Sequence, residues 1–165
     1  VLEARLLSLP ERLDFVLVID GVRDPGNLGT LLRTAAAAGV QAALLSPGNV
    51  DAWSPKVLRA AMGAHFRLPL RSLDWGAVND LLSGLPVYLA DAGGGLAYTQ
   101  ANLRQPLALM VGGEAAGASQ QGQALASHSL HIPMPGKMES LNAAAAAAVL
   151  LFEVVRQRRE NITRK

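Results

Sequence analysis

Phe15-Val-Leu-Val-Ile-Asp-Gly-Val-Arg-Asp-Pro-Gly-Asn-Leu-Gly-Thr-Leu-Leu-Arg33 runs from an unbroken apolar segment, through a loop bearing glycine and proline, into a helical pattern of Leu, Thr and Ala. Five apolar residues without polar alternation have the composition of a strand covered on both faces. Pro25-Gly26 marks a turn, Asn27 is placed to cap the helix that follows, and Gly39 to close it in the left-handed conformation. The same unit recurs along the chain. Apolar runs at residues 42–45, 87–90, 107–111 and 130–132 alternate with helical spacing at 28–38, 57–62, 75–82, 119–126 (weaker) and 141–158. Such alternation predicts an α/β fold, a mostly parallel sheet with helices on both faces.

The bulk properties bound the function. Half of the 165 residues are hydrophobic and 17% are charged, the composition of a folded chain of about one domain. There is no cysteine, which removes disulfide scaffolds, thiolate zinc sites and cysteine nucleophiles and points to a reducing compartment, the cytoplasm. His65, His128 and His131 are scattered, each expected as an ordinary surface or core residue, so no metal is expected. No apolar run reaches the roughly 18 residues of a membrane span; the longest, 141–155, is broken by Asn142 and Glu153. No membrane association is therefore expected. The formal net charge of +2 does not by itself announce nucleic acid. Arg156, Arg158, Arg159, Arg164 and Lys165 cluster positive charge at the C-terminus, either a patch for nucleic acid or a solvated helix end complementing its dipole. The alanine runs 35–38 and 143–148 read as close helix packing in a core or a dimer.

In parallel sheets ligands bind beyond the carboxyl ends of the strands. Three loops stand there: 20–33, Gly112-Gly-Glu-Ala-Ala-Gly117, and Pro133-Met-Pro-Gly-Lys-Met-Glu-Ser-Leu-Asn142. In the first, Arg33 is one strong cation among Leu, Thr and Ala, near the ligand-facing loop. In the second, small residues around Glu114 leave backbone groups open to close approach. In the third, Ser140 is placed to cap the last helix with Asn142 in its first turn, while Met134, Pro135, Met138 and Leu141 suit a flat, partly apolar ligand such as adenine with a thioether. A dinucleotide fold would need Gly-x-Gly-x-x-Gly after the first strand, and Asp20-Gly-Val-Arg23 stands there instead. Gly93-Gly94-Gly95 reads as a flexible loop rather than a substitute.

Together, Asn27-x-Gly29-x-x-x-Arg33-x-Ala35, Gly112-x-Glu114-x-x-Gly117, and Ile132-Pro-Met134 through Ser140-Leu-Asn142 resemble the three motifs of the SpoU-type (TrmH-like) ribose 2′-O-methyltransferases of the SPOUT superfamily. The likeness covers nearly the whole chain from about Leu13. It implies a C-terminal deep trefoil knot, a homodimer with the active site at or near its interface, and S-adenosylmethionine as co-substrate. It further implies that Gly112, Ile132 and Leu141 hold the cofactor through backbone groups, with Met134 and Asn142 nearby. The transfer itself would fall to Arg33, with Asn27, Glu114, Ser140 and Asn142 orienting it and the ribose. A guanidinium stays protonated, so stabilising a developing alkoxide and clamping the adjacent phosphate fits Arg33 better than acting as a base. Ala115 stands where many relatives carry glycine.

The implied substrate is structured RNA, ribosomal rather than transfer RNA. Residues 1–12 read as the remnant of a linker to an RNA-binding module or as an N-terminal extension, 13–160 as the catalytic domain and 161–165 as a tail. Three rivals stand beside this reading: a knotted RNA-binding module without chemistry, a base methyltransferase of another SPOUT branch, and a nucleotide-dependent oxidoreductase.

Overall fold

Every residue of Phe15–Asp20 is buried, and the parity of the strand decides which face each side chain serves. Phe15, Leu17 and Ile19 pack with Leu28, Leu31, Leu32, Leu150, Leu151 and Val154, whereas Val16 and Val18 pack with Val78 and Leu82. Leu107, Leu109 and Val111 join the first cluster and Ala108 and Met110 the second. Two apolar layers on one sheet explain why neither run alternates with polar residues.

The computed structural model describes residues 7–162 other than 115 and 137, with side chains as far as Arg159. The expectations for Ala115, for Arg164 and Lys165 of the tail, and for residues 1–6 lie outside the described residues. In chain order the elements are β1 (Phe15–Asp20), α1 (Pro25–Ala38), β2 (Ala42–Leu45), α2 (Pro55–Ala61), a 3-10 turn (Ala64–Phe66), β3 (Leu70–Ser72), α3 (Trp75–Leu81), β4 (Val87–Ala90), β5 (Leu96–Ala97), β6 (Leu107–Gly112), α4 (Gln120–Leu125), β7 (His128–His131) and α5 (Ala143–Ile162). The seven strands form one sheet in the order β3-β2-β1-β6-β4-β7-β5, every pairing parallel. The central pair runs in register from Phe15 opposite Leu107 to Asp20 opposite Gly112. Helix α1 packs on both α2 and α5. Gly29 makes the first contact possible, since a Cβ there would lie 2.4 Å from the Ala60 Cβ and 2.9 Å from the Val57 carbonyl oxygen.

Several expectations are corrected. Asp24, not Asn27, caps α1, accepting from the Asn27 backbone N–H at 2.7 Å, with Pro25 opening the helix. Asn142, not Ser140, caps α5, its Oδ1 accepting from the N–H of Ala144 (2.9 Å) and Ala145 (3.3 Å). Gly39 does close α1 at φ +77°. Gly95 is no flexible spacer: a Cβ there would lie 2.1 Å from the Ser129 carbonyl oxygen, so β5 approaches β7 where only glycine fits. The C-terminal arginines are not all solvated. Arg158 bonds the Asp14 carboxylate at 2.8 Å and the Gln105 carbonyl at 2.9 Å, and its guanidinium lies 5.0 Å from the centre of the Phe15 ring.

The last helix is tied to the return segment between β5 and β6. Buried Gln157 accepts from the Leu103 N–H at 2.9 Å and donates to the Ala101 carbonyl at 3.0 Å. It also donates to buried Glu153 at 2.8 Å, which binds Arg156 through both carboxylate oxygens at 2.8 and 2.7 Å. These bonds, the Arg156 guanidinium foremost, hold the Glu153 carboxyl below the usual glutamate range despite its burial.

Candidate active site

Each of the three loops is shaped by contacts that leave side chains available at its tip. In the first, Asn49 does the bracing: its Oδ1 accepts from the Val22 N–H at 2.7 Å, and its Nδ2 donates to the carbonyls of Ile19 (2.8 Å) and Ser46 (2.7 Å). With Asp24 serving as the cap, the Asn27 side chain is free to reach the other loops. The second loop closes on itself through paired backbone bonds between Gly113 and Gly117, at 3.1 and 3.0 Å, which present Glu114 outward. Its glycines are sterically required. A Cβ on Gly112 would lie 2.3 Å from the Ala118 nitrogen, and one on Gly113 2.4 Å from the Gly21 carbonyl oxygen. The third loop runs from Ile132 to the cap residue Asn142.

The three tips meet in one directed chain of hydrogen bonds. Asn142 Nδ2 donates to Asn27 Oδ1 at 3.0 Å, and Asn27 Nδ2 donates to Glu114 Oε1 at 2.5 Å. Each amide uses its acceptor on one side and its donor on the other, so the dipoles align toward the carboxylate. Residues 115 positions apart in sequence are thereby joined at the carboxyl end of the sheet.

Beside this chain lies a cleft of about 590 Å³, lined by Val111, Gly112, Gly113 and Glu114 from the second loop and its strand and by Ile132, Met134, Ser140 and Leu141 from the third. Leu89, Ala146 and Leu150 add apolar lining. Its size and mixed lining fit a nucleoside-sized ligand. Six of the residues expected from sequence, namely Gly112, Glu114, Ile132, Met134, Ser140 and Leu141, line the cleft. Asn27 and Asn142 adjoin it through Glu114. Arg33 does not line it. It lies on the exposed stripe of α1 with Thr30 and Ala37, and no ion pair holds it among the described residues.

Sequence reasoning missed Asp91, Gln123 and His128, which add polar groups to the cleft. Asp91 follows the run 87–90 directly, so the rule that found the other loops applies to it as well. It also missed Asp20. This buried carboxylate accepts from the Ser46 hydroxyl at 2.7 Å and the Ser119 N–H at 2.6 Å, tying the ends of β1 and β2 to the start of α4. An acid ending a wholly apolar strand was the available signal. Of the histidines, His65 is core, with Nε2 2.7 Å from the Ala52 carbonyl, while exposed His128 stacks on Tyr88 with ring centres 4.9 Å apart.

A parallel sheet covered on both faces, with a nucleoside-sized cleft whose polar groups come from three separate loops, defines an α/β ligand-binding domain of the open-sheet class. The SpoU rRNA Methylase family model matches residues 14–152, and the chain belongs to that family. It is 38% identical, over 90% of its length, to rRNA methyltransferase 3, mitochondrial, of Xenopus tropicalis, half of which the match covers (50%). It is 40% identical, over 84% of its length, to the 23S rRNA (guanosine(2553)-2'-O)-methyltransferase RlmP of Bacillus subtilis (strain 168), with 57% of that protein covered. Among solved structures, the SpoU methyltransferase AviRb from Streptomyces viridochromogenes in complex with the cofactor AdoMet superimposes with a TM-score of 0.86 at 34% identity, over 92% of this chain and 64% of that one. The chain thus spans about half the length of the curated relatives it matches.

Proposed function

We propose that this chain is the catalytic domain of an S-adenosylmethionine-dependent methyltransferase acting on a ribose 2′-hydroxyl of ribosomal RNA. The observation that carries this reading is the convergence of Asn27, Glu114 and Asn142 in one hydrogen-bonded chain at the rim of the cleft. The names of the relatives support a ribosomal substrate and the 2′-oxygen, and the AviRb complex supports the cofactor.

The residues present fit that cofactor. Leu89, Ile132, Leu141 and Ala146 offer an apolar slot for a flat base, while Gly112 and Gly113 bring peptide groups to the cleft with no side chain between. When bound, S-adenosylmethionine supplies a methyl group already activated on a sulfonium, with a neutral thioether as leaving group. The remaining demand is on the hydroxyl, which must be aligned and its developing charge stabilised. Glu114, held by Asn27, is the carboxylate at the rim, and Arg33 is the cation assigned to the alkoxide and the neighbouring phosphate.

Arg33 lies outside the cleft of its own chain, which supports a homodimer in the same reading. The exposed stripe of α5 carries Ala145, Val149 and Phe152, an apolar surface suited to a second copy of the chain. The knot also belongs to this reading. The contacts of Gln157 and Arg158 with the segment 101–105, between β5 and β6, support a C-terminal helix that crosses that segment.

The decisive experiment incubates the protein with S-adenosylmethionine and ribosomal RNA, digests the RNA to nucleosides and locates the added methyl by mass spectrometry. A methyl on ribose is expected, and one on a base would overturn the assignment. Arg33→Ala is expected to lose transfer while calorimetry shows unchanged cofactor affinity. Absence of cofactor affinity in the unmodified protein would favour the non-catalytic RNA-binding module.

A further inference from the structure

The segment 52–73 carries Lys56, Arg59, Arg67 and Arg71 and not one carboxylate, in a chain whose net charge is only +2. Arg71 is internally occupied, donating to the carbonyls of Leu70 and Leu7 at 2.7 and 2.6 Å. Lys56, Arg59 and Arg67 are exposed, and no ion pair neutralises them among the described residues. Among these cations stand two of the most exposed large apolar side chains among the described residues, Phe66 at 85% and Met62 at 71%.

The placement is ordered rather than incidental. On α2, Val57 and Ala61 face the core, which turns Lys56, Leu58, Arg59 and Met62 outward together. Phe66 follows in the 3-10 turn, whose own anchoring residues Ala64 and His65 are buried, so the ring projects from a fixed base. Met62 closes α2 at φ +49°, a left-handed position that favours glycine and costs another residue about 1 kcal/mol or more. An exposed methionine is kept at that strained position next to the exposed phenylalanine.

We infer that Phe66, Met62, Lys56, Arg59 and Arg67 form a second RNA contact, separate from the cleft, in which the Phe66 ring stacks on an unpaired base and the cations hold the flanking phosphates. This rests on the reading of the substrate as RNA. The pairing of an exposed ring with unneutralised cations is what single-stranded nucleic acid requires, one face for a base and charge along the backbone. A second copy of the chain fits this surface poorly. A two-fold contact here would set Lys56, Arg59 and Arg67 against their own copies, whereas on the α5 stripe the cations Arg156 and Arg159 stand only beyond the apolar part formed by Ala145, Val149 and Phe152.

The test measures binding of a fluorescein-labelled single-stranded oligoribonucleotide of mixed sequence to the whole chain across a salt series. Phe66→Ala is expected to weaken binding about tenfold, the effect of about 1.4 kcal/mol of lost stacking. Phe66→Trp should retain affinity and Phe66→Leu should lose it. Arg59→Ala and Arg67→Ala should each lower the slope of log affinity against log salt by about 0.7. Cofactor affinity and melting temperature should stay at wild-type values, because Phe66 is almost wholly solvent-exposed. Wild-type RNA affinity in Phe66→Ala and in Arg59→Ala would overturn this surface while leaving the methyltransferase reading intact. No RNA binding by the unmodified chain at any salt concentration would overturn both. Dissociation of a dimer by Phe66→Ala in sedimentation would reassign the patch to a second copy of the chain.

Discussion

Asn142 performs two tasks that a pair of substitutions separates. Its Oδ1 accepts the first-turn N–H groups of Ala144 and Ala145, and its Nδ2 donates to Asn27, which in turn holds Glu114. Asn142→Ala removes both. Losing the cap costs about 1 kcal/mol, and the surface bond to Asn27 adds about 0.5 kcal/mol. Because a domain of this size loses about 2–4 °C per kcal/mol, the melting temperature should fall by about 3–6 °C. Asn142→Ser keeps a hydroxyl that can cap but is too short to hold Asn27, so its melting temperature should fall by no more than about 2 °C. If the chain of hydrogen bonds positions the transfer groups, both variants should lose methyl transfer to about the same extent. The expected loss is about 10- to 100-fold in kcat, or about 1.4–2.7 kcal/mol of barrier. Thermal denaturation together with single-turnover transfer of a labelled methyl group decides between the two roles. Wild-type turnover by Asn142→Ser would show that Asn142 is a helix cap and that its link to Asn27 has no part in the chemistry. A melting point as low as that of the alanine variant would refute the capping account.

Gly112→Ala is expected to abolish measurable cofactor binding by calorimetry, since its Cβ would lie 2.3 Å from both the Ala118 nitrogen and the Gly117 carbonyl carbon. Retained affinity would place the cofactor elsewhere. Gly29→Ala forces α1 away from α2, and overpacking of about 1–3 kcal/mol should exceed the helix-propensity gain of about 1 kcal/mol, leaving a lower melting temperature. For Glu153, the folded carboxyl titrates below its unfolded value, so its bonds stabilise the fold above the unfolded pKa and are lost as the pH falls through the folded one. Glu153→Gln should therefore be less stable than the parent near neutral pH by about 1 kcal/mol, discounted because Arg156 is half-exposed. Urea titrations at descending pH should show the difference shrinking, and a constant difference would refute the ionic explanation.

What was legible in the sequence follows burial. The bounds 42–45 and 87–90 coincide with β2 and β4 because these strands are enclosed on both faces and must be apolar throughout or nearly so. The run 130–132 points to β7 but misses its start: only Leu130 of that strand is buried, and His128 carries no apolar signal. β3 and β5 have three and two residues, too short for any period to register. The caps were misplaced because Asp24 and Asn27, like Ser140 and Asn142, are equally good cap residues a few positions apart, and only the folded loops decide which is used. Strand order was out of reach for a related reason. Insertion of β6 between β1 and β4 is set by how the crossovers pack, not by composition. The residues of the three loops were found because the carboxyl ends of parallel strands gather them, yet the distance of Arg33 from the cleft depends on helix phase, which its neighbouring alanines leave undetermined.

The central pairing of Phe15 with Leu107 has a consequence for how the protein is made. As the chain leaves the ribosome, β1 emerges before its neighbour β6, which arrives only after β2, β3, β4 and β5 have been extruded. Asn142 follows later still, and Gln157, which fastens α5 to Leu103, comes later than Asn142. Contacts so far apart in sequence close slowly, since loop entropy must be overcome before they form. A nascent chain therefore has Asn27 and Glu114 in place before the residue that links to Asn27 exists. Assembly of the cleft waits until Asn142 has been made, and a polypeptide extended only as far as Glu114 has no complete site with which to capture a ligand.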